Sequence, residues 1–466
     1  MKLYNTLSRE KEDFKPISKD EVKIYTCGLT VYSEPHIGNW VPYIYWDVLQ
    51  RVLMAEGYKV NRVQNITDVG HLVSDDDSGE DKMEKGAKAE GITAWDVANK
   101  YIKIADEEAY QKLGLLKPKM IRATDKIQEQ IDFVKELEDK EYTYKIDGEG
   151  IYFDTSKLKD YGKLARLDIS GLEAGARVSV DGKRNITDFA LWKFSPADQQ
   201  RDMEWDSPWG KGFPGWHLEC SVIAQKGLGD QIDIHTGGID HIPVHHTNEI
   251  AQTESLTEKS FANFWLHNNH IKVDSKKMSK SLGNIYTLKD IENKGFDLQA
   301  FKLMLLSKHY RTEGNFTWEI LEAAQNRLNG YKKMAANVWQ PRQGTEHFEQ
   351  NYFEDKQRAI MKALSDDLNT PAALVIISEV ESIIEKQHLH DTSVGSFQNF
   401  LDFLDTTLGL KLQIENISEG QTKTLEQRQK ARDAKSWAQS DQLRDQLHEQ
   451  GIGIDDSSAG QTWYRI

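Results

Sequence analysis

The sequence predicts an α/β protein built on a doubly wound parallel sheet, carrying an insertion and followed by a helical bundle and a small C-terminal domain. Three observations predict it. Residues 20–70 alternate Val22–Thr26 as strand, Trp40 to about Glu56 as helix and Val60–Ile66 as strand. This is the βαβ order of a sheet whose ligands gather at the carboxyl ends of its strands. The alternation resumes at Ile232-Asp233-Ile234-His235-Thr236 and in a helix beginning near His245. From about residue 317 the apolar spacing is helical almost throughout.

At 466 residues the chain exceeds one ordinary domain, and 38% hydrophobic content supports real cores. Met1 to Phe14 is polar and charged, and no stretch approaches the ~20 apolar residues of a membrane span. A cytoplasmic chain with no membrane partner, and a monomer, is the expectation. Net charge is −15, from 59 basic and 74 acidic residues, which argues against general affinity for polyanions. An RNA partner would have to meet a local basic face.

In chain order, residues 74–91 read as a charged, solvated loop and 94–140 as helical. Ile151-Tyr152-Phe153-Asp154 and the Gly-rich 171–186 read as a β-containing insertion. Helices follow at Glu319–Asn337, Glu354–Leu364, Pro371–Glu385 and Val394–Leu408. A break at 414–422 precedes a polar helix at 425–450 and the tail Trp463-Tyr464-Arg465-Ile466. The boundaries expected are 1–110 and 206–316 for two halves of a Rossmann-like domain and 111–205 for the insertion. The bundle is placed at 317–412 and the last domain at 413–466.

Two short runs answer one another across the α/β domain. Pro35-His36-Ile37-Gly38-Asn39 lies where the first strand gives way to a helix, whose free N–H groups and positive dipole end favour phosphate. Lys276-Lys277-Met278-Ser279-Lys280-Ser281-Leu282-Gly283-Asn284 is a loop able to close over leaving pyrophosphate, with Lys277 and Lys280 supplying positive charge. Together they describe a device that activates a carboxylate with ATP.

Both cysteines, Cys27 and Cys220, belong to a second pattern. Cys27 directly follows the first strand. On a helix, His245 and Glu249 are four residues apart and project from one face. Two thiolates, one imidazole and one carboxylate suit tetrahedral zinc. Spacing leaves His235, His241 and His246 open as alternatives, and a His/Glu pair at this spacing also occurs as a plain helix-surface pair.

The ordered motifs Pro35–Asn39, Cys27 after the first strand, Trp216-His217-Leu218-Glu219-Cys220, His245-His246-Thr247-Asn248-Glu249 and Lys276–Asn284 resemble the cysteinyl-tRNA synthetases, class I aminoacyl-tRNA synthetases. Asp188-Phe189-Ala190-Leu191-Trp192-Lys193, Ser207-Pro208-Trp209-Gly210 and Ala431-Arg432-Asp433-Ala434-Lys435-Ser436-Trp437-Ala438 extend the likeness over nearly the whole chain. The resemblance implies zinc on Cys27, Cys220, His245 and Glu249, and an amino-acid pocket at Thr67 and Trp216. It further implies an ATP site of His36, Gly38, Asn39, Gly238, Asp240, Lys277, Met278, Ser279, Lys280 and Ser281, with magnesium accompanying the nucleotide. Its catalytic groups fall on His36, Asn39, Lys277 and Lys280, and its anticodon-reading residues on Arg432, Trp437, Asp441 and Asp456.

The expected substrates are L-cysteine, ATP and tRNA(Cys). Two departures stand out. The family commonly reads Asn-Ile-Thr-Asp-Val-Asp-Asp-Lys where this chain has Thr67-Asp68-Val69-Gly70-His71 and a longer acidic loop, with Asp81-Lys82 the candidate displaced equivalent. It also often has Phe-Pro before the paired histidines, where this chain has Pro243-Val244. In the 425–450 segment, Arg428, Lys430, Arg432, Lys435 and Arg444 interleave with Trp437, a composition able to stack on unpaired bases; without the resemblance the same segment reads as an amphipathic helix of mixed surface charge. The alternative function is a mycothiol-pathway cysteine ligase joining activated cysteine to an amino sugar, which has no use for residues 420–466.

Overall fold

Five parallel strands organise the first part of the chain, in the order Ala262–Asn268, Ile232–Gly238, Glu21–Thr26, Lys59–Ile66 and Lys119–Arg122. The computed structural model describes residues 1–72, 81–167, 182–196, 201–279, 282–342, 348–349, 351–387, 389–457 and 460–466. The chain divides into two units, Met1–Asp290 with Tyr310–Asn315, and Ile291–His309 with Phe316–Ile466.

In the first unit, Val22, Ile24, Tyr25 and Thr26 are all buried, as a central strand covered on both faces requires. Helix α1 (Ile37–Ala55) follows and buries Trp40, Ile44, Trp46, Val48 and Leu49; truncating either tryptophan to alanine should cost about 3–5 kcal/mol. The chain runs outward from Glu21–Thr26 to the Lys119–Arg122 edge, then returns to place Ile232–Gly238 beside the strand it started from. The order therefore reverses between these two neighbours, where Thr236 pairs with Thr26. Crevices at such reversals hold ligands.

Two readings of the sequence are corrected here. Residues 94–140 are not helical throughout: α3 (Ala94–Asp106) and a π turn give way to the Lys119–Arg122 strand before α4 (Ile127–Asp139). Met120 and Ile121 pair with Gln64 and Asn65, so edge pairing decides their conformation over local propensity. Within the loop expected at 74–91, residues Lys82–Glu90 form α2 from the Asp81 N-cap; residues 74–80 lie outside the described ones.

The insertion contains a four-stranded antiparallel sheet of Thr143–Ile146, Gly150–Phe153, Phe189–Phe194 and Gly212–Pro214. Much of the Gly-rich 171–186 stretch lies outside the described residues. The last strand runs straight into α5 (Trp216–Leu228), and the Gly215 N–H donates to Leu191 O at 2.9 Å. The insertion thereby fixes where α5 starts. Helix α6 (His245–Thr257) packs beside α5.

In the second unit, helices Trp318–Ala336, Tyr352–Leu364, Thr370–Gln387 and Val394–Leu408 bury Leu328, Phe353, Ile360, Ile377 and Phe400 among other apolar residues. The expected helix at 425–450 is two, Glu419–Asp433 and Trp437–Glu449, separated at Lys435, whose φ of 56° is left-handed. The tail belongs to a hairpin, Ile452–Ser457 with Gly460–Arg465, whose Trp463 is buried with Ala336, Ile417, Leu447 and Ile452.

Candidate active site

One donor atom each from Cys27, Cys220, His245 and Glu249 lie within 4.8 Å of one another. They arrive by separate routes. Cys27 follows the central strand, at the reversal point. Cys220 lies one turn after Trp216 on α5, so both share a face. His245 and Glu249 are one turn apart on α6, with Nε2 and Oε1 at 3.1 Å. Glu249 Oε1 is buried and has no hydrogen-bond donor aligned to it among the described residues. A buried carboxylate oxygen facing an imidazole nitrogen without a proper hydrogen bond is an arrangement a cation resolves. Two sulfurs, a nitrogen and an oxygen fit zinc.

Cys27, His235, His246 and Glu249 form a second set of donors within the same 4.8 Å. His235 Nε2 lies 2.8 Å from Glu249 Oε2 and His246 Nε2 lies 3.3 Å from Cys27 Sγ. These histidines hold the outer atoms of the first set. His217 Nδ1 backs His245 Nδ1 at 2.9 Å, and a chain runs from His246 Nδ1 to His267 Nε2 and on to Thr6 Oγ1, each step 2.8 Å. Such contacts orient ligands and fix their tautomers. Burial opposes a thiolate at Cys27, yet the Cys220 thiol and the neighbouring His246, His241 and His245 hold it well below its usual value. Burial, and then Cys27, push Cys220 up.

Cys27, Cys220 and His245 of the cluster line a cavity of about 310 Å³, together with Thr30, Thr67, His71, Lys82 and Trp216. Trp216 stacks on His71 at 3.9 Å with 9° between the planes, and meets His245 at 4.3 Å. Thr67 is less open than the sequence suggests. Its hydroxyl donates to Glu219 Oε1, and Asn65 Nδ2 donates to the same oxygen at 3.1 Å. Burial holds Glu219 well above the usual carboxylate range. Its other oxygen has no partner among the described residues.

A second cavity, of about 320 Å³, shares Cys27, His36, Asn39 and Asp240 with the first and continues to Gly38, Gly237, Gly238 and Met278. His36 and Asn39 form a capping box at the start of α1. The Gly38 N–H donates to His36 Nδ1 at 3.2 Å, and the His36 N–H to Asn39 Oδ1 at 2.9 Å. Burial lowers the His36 pKa, so its ring is neutral with the proton on Nε2. Both capping residues thus retain a donor for an anion, His36 through Nε2 and Asn39 through Nδ2.

A Cβ on Gly38 would lie 2.4 Å from Met278 Cε, so the lysine loop reaches the helix start. Asn284 clips that loop, accepting from Ser279 N–H at 2.9 Å and donating to Lys277 O at 3.2 Å. Lys277 is exposed; Lys280 and Ser281 lie outside the described residues.

In the second unit, the Arg432 guanidinium lies 5.9 Å from the Trp437 ring and donates to Asp456 at 2.9 Å. Trp437 is 57% exposed and opens its helix, with Asp441 one turn on and 3.8 Å from Arg444. Asp456 is clamped by buried Arg428 through two hydrogen bonds of 2.9 and 2.7 Å. Asp456 therefore braces Arg432 from behind.

Sequence reasoning assigned no role to Thr30, His71, His217, Glu219 or His267. Glu219 and His217 carried a signal in their positions beside Trp216 and Cys220. His71 stood at the departure from the resembled family.

The family model for the catalytic domain of class I (C) tRNA synthetases matches residues 13–326, and that for the cysteinyl-tRNA ligase anticodon binding domain matches 415–463. Among curated relatives, a cysteine–tRNA ligase of Burkholderia lata is 45% identical, covering 98% of this chain and 96% of its own length. One of Treponema denticola is 39% identical over the whole of both chains. In fold, the chain is similar to a methionyl-tRNA synthetase of Mycobacterium tuberculosis in complex with methionyl-adenylate (TM-score 0.61, 13% identity, 90% of this chain and 96% of that one). A LeuRS–tRNA–LeuAMS ternary complex of Agrobacterium radiobacter K84 gives a TM-score of 0.63 at 11% identity, covering 85% of each chain. With a buried Cys/His/Glu cluster at the reversal point and matches over its full length, the chain belongs to the cysteine–tRNA ligase family.

Proposed function

We propose that this chain ligates L-cysteine to tRNA(Cys) in an ATP-dependent reaction through a cysteinyl-adenylate. The observation that carries it is one cleft with a four-donor cluster at one end and a capped helix N-terminus at the other. Zinc held by Cys27, Cys220, His245 and Glu249 supplies a preference for a deprotonated sulfur over a neutral hydroxyl, which size alone supplies poorly: a methylene is worth ~1–3 kcal/mol.

In the first step a carboxylate oxygen of cysteine attacks the α-phosphorus in line, the bond to the bridging oxygen breaks, and pyrophosphate leaves. His36 and Asn39 donate to phosphate oxygens beside the N–H groups of α1. Lys277 and Lys280 place charge on the leaving group, while Met278, Ser279 and Ser281 complete the loop's contacts and Gly38 lets it approach. Gly238 and Asp240 hold the ribose. Trp216 walls the amino-acid end and Thr67 shapes it through Glu219. No side chain acts as nucleophile; positioning and charge stabilisation carry the step. Magnesium accompanies ATP, held mainly by its phosphates. In the second step a terminal hydroxyl of the tRNA attacks the carbonyl carbon and AMP leaves.

Arg432 and Trp437 offer a stacking face for anticodon bases, with Asp441 an acceptor for a base amino group and Asp456 bracing Arg432. The catalytic halves span 1–122 and 215–316 around a connective insertion at 123–214, since Lys119–Arg122 pairs into the parallel sheet and Gly212–Pro214 into the insertion's own sheet, in place of the expected bounds of 111–205; the bundle spans 317–412 and the anticodon domain 413–466. The working form is a cytoplasmic monomer; no helix among the described residues is long and apolar enough to cross a membrane. The amino-sugar ligase reading is not favoured, because relatives named cysteine–tRNA ligase align end to end and residues 415–463 match an anticodon domain. The test is metal analysis of the purified protein together with cysteine- and serine-dependent ATP–pyrophosphate exchange. Stoichiometric zinc with exchange only on cysteine is expected. A zinc-free protein that adenylates serine as readily would end this reading.

A further inference from the structure

Residues 67–72 and the pair Asp81-Lys82 meet at the wall of the amino-acid cavity. Leu72 and Asp81 form an antiparallel bridge, and the Lys82 N–H donates to His71 O at 3.0 Å. Asp81 accepts from the Gly70 N–H at 3.1 Å, the Met83 N–H at 2.7 Å and Arg201 Nη2 at 2.8 Å. Gly70 has a φ of 77°, and a Cβ there would lie 2.3 Å from Pro214 O, so the fold admits only glycine. This closure lays the His71 ring flat on Trp216 and leaves it 8% exposed.

The hydrogen bonds of His71 have a determined direction. Lys82 Nζ lies 2.6 Å from His71 Nε2. An ammonium has donors and no acceptor, so Nε2 must accept. Burial, reinforced by the Lys82 charge, holds His71 well below its ordinary pKa, and the neutral ring therefore carries its proton on Nδ1. Nδ1 lies 2.6 Å from Thr30 Oγ1 and donates to it. The Thr30 hydroxyl proton is then left for another acceptor, and none in the protein is paired with it among the described residues. Thr30 lines the cavity with Cys27, Trp216 and Cys220.

We propose that His71, held by Lys82, is a positioning residue of the amino-acid pocket: it fixes the face of Trp216 and turns the Thr30 hydroxyl into a donor for the substrate's α-carboxylate. The proposal rests on the reading of this cavity as the cysteine-activating site. Substrate binding thereby gains a polar contact independent of the sulfur, leaving the second carboxylate oxygen to attack phosphorus.

His71→Phe keeps an aromatic stack and removes both hydrogen bonds. It should raise the KM for cysteine in ATP–pyrophosphate exchange about tenfold while kcat stays within about threefold and zinc content stays full. His71→Asn, whose Nδ2 can still donate to Thr30, should recover most of that loss. Thr30→Val should give a similar rise, and the double variant Thr30→Val/His71→Phe no further rise, because both break one chain. A wild-type KM in His71→Phe, loss of zinc in it, no recovery in His71→Asn, or multiplied effects in the double variant would each overturn the proposal. Wild-type exchange by Cys220→Ser would instead overturn the reading beneath it, whatever His71→Phe does.

Discussion

At the sulfur end of the cleft, Cys220, His245 and Glu249 are buried, and His217, His235, His246 and His267 hold them or their neighbours at 2.8 to 3.3 Å. At the helix-cap end, by contrast, Lys277 is exposed, and Asn284 bonds its loop at Ser279 N–H and Lys277 O. The difference teaches how one cleft divides its work. In the proposed reaction, discrimination between a thiol and a hydroxyl needs donors that cannot rearrange for the wrong substrate, and interlocked histidines favour that. In the proposed reaction, departure of pyrophosphate needs charge that arrives and withdraws, and an exposed lysine on a loop can offer it.

The comparison breaks most readily at the buried end. Cys220→Ser should remove the zinc and lower cysteine-dependent exchange by about a thousandfold or more, since losing one ligand leaves the remaining donors uncompensated. Wild-type exchange with the metal gone would show the cluster to be structural. At the open end, Lys277→Ala should lower kcat for activation by about a hundredfold while the KM for cysteine changes little, the signature of a contact made in the transition state; a raised KM at unchanged kcat would place the lysine in ground-state binding. His36→Ala should also lower kcat, by about tenfold to a hundredfold, and cost about 1 kcal/mol of stability through the lost cap, read as a lower urea midpoint. A stability loss with activity intact would make the capping box purely architectural. Outside the cleft, Trp437→Ala should weaken charging of tRNA by about tenfold, the scale of one stacked base, while leaving tRNA-independent activation alone. Equal losses in both assays would remove Trp437 from the RNA interface.

Much of this was legible in the chain because it is local. The apolar run Val22–Thr26 and the helix after it announce a βαβ unit, and His245 and Glu249 come together wherever that segment is helical. The place of His36 and Asn39 at a helix start was legible for the same reason, since the capping box they form is a relation between residues three apart. What escaped was set by distant partners. Lys119–Arg122 became strand because an edge of the sheet was open to it; the break of the 425–450 helix at left-handed Lys435 is local instead, and no apolar period marks it.

Sequence by itself determined the chemical inventory of this protein: two sulfurs, a helix-borne imidazole and carboxylate, a capped helix start and a lysine loop, each fixed by covalent order and helical or strand period. The tertiary structure alone decided which donors meet. Thr67 turns to Glu219, Asp456 to Arg428, and His71 to Trp216, Thr30 and Lys82. The reason is physical: hydrogen-bond partners of buried groups are chosen by packing across tens or hundreds of residues, and nothing in a local period records that choice.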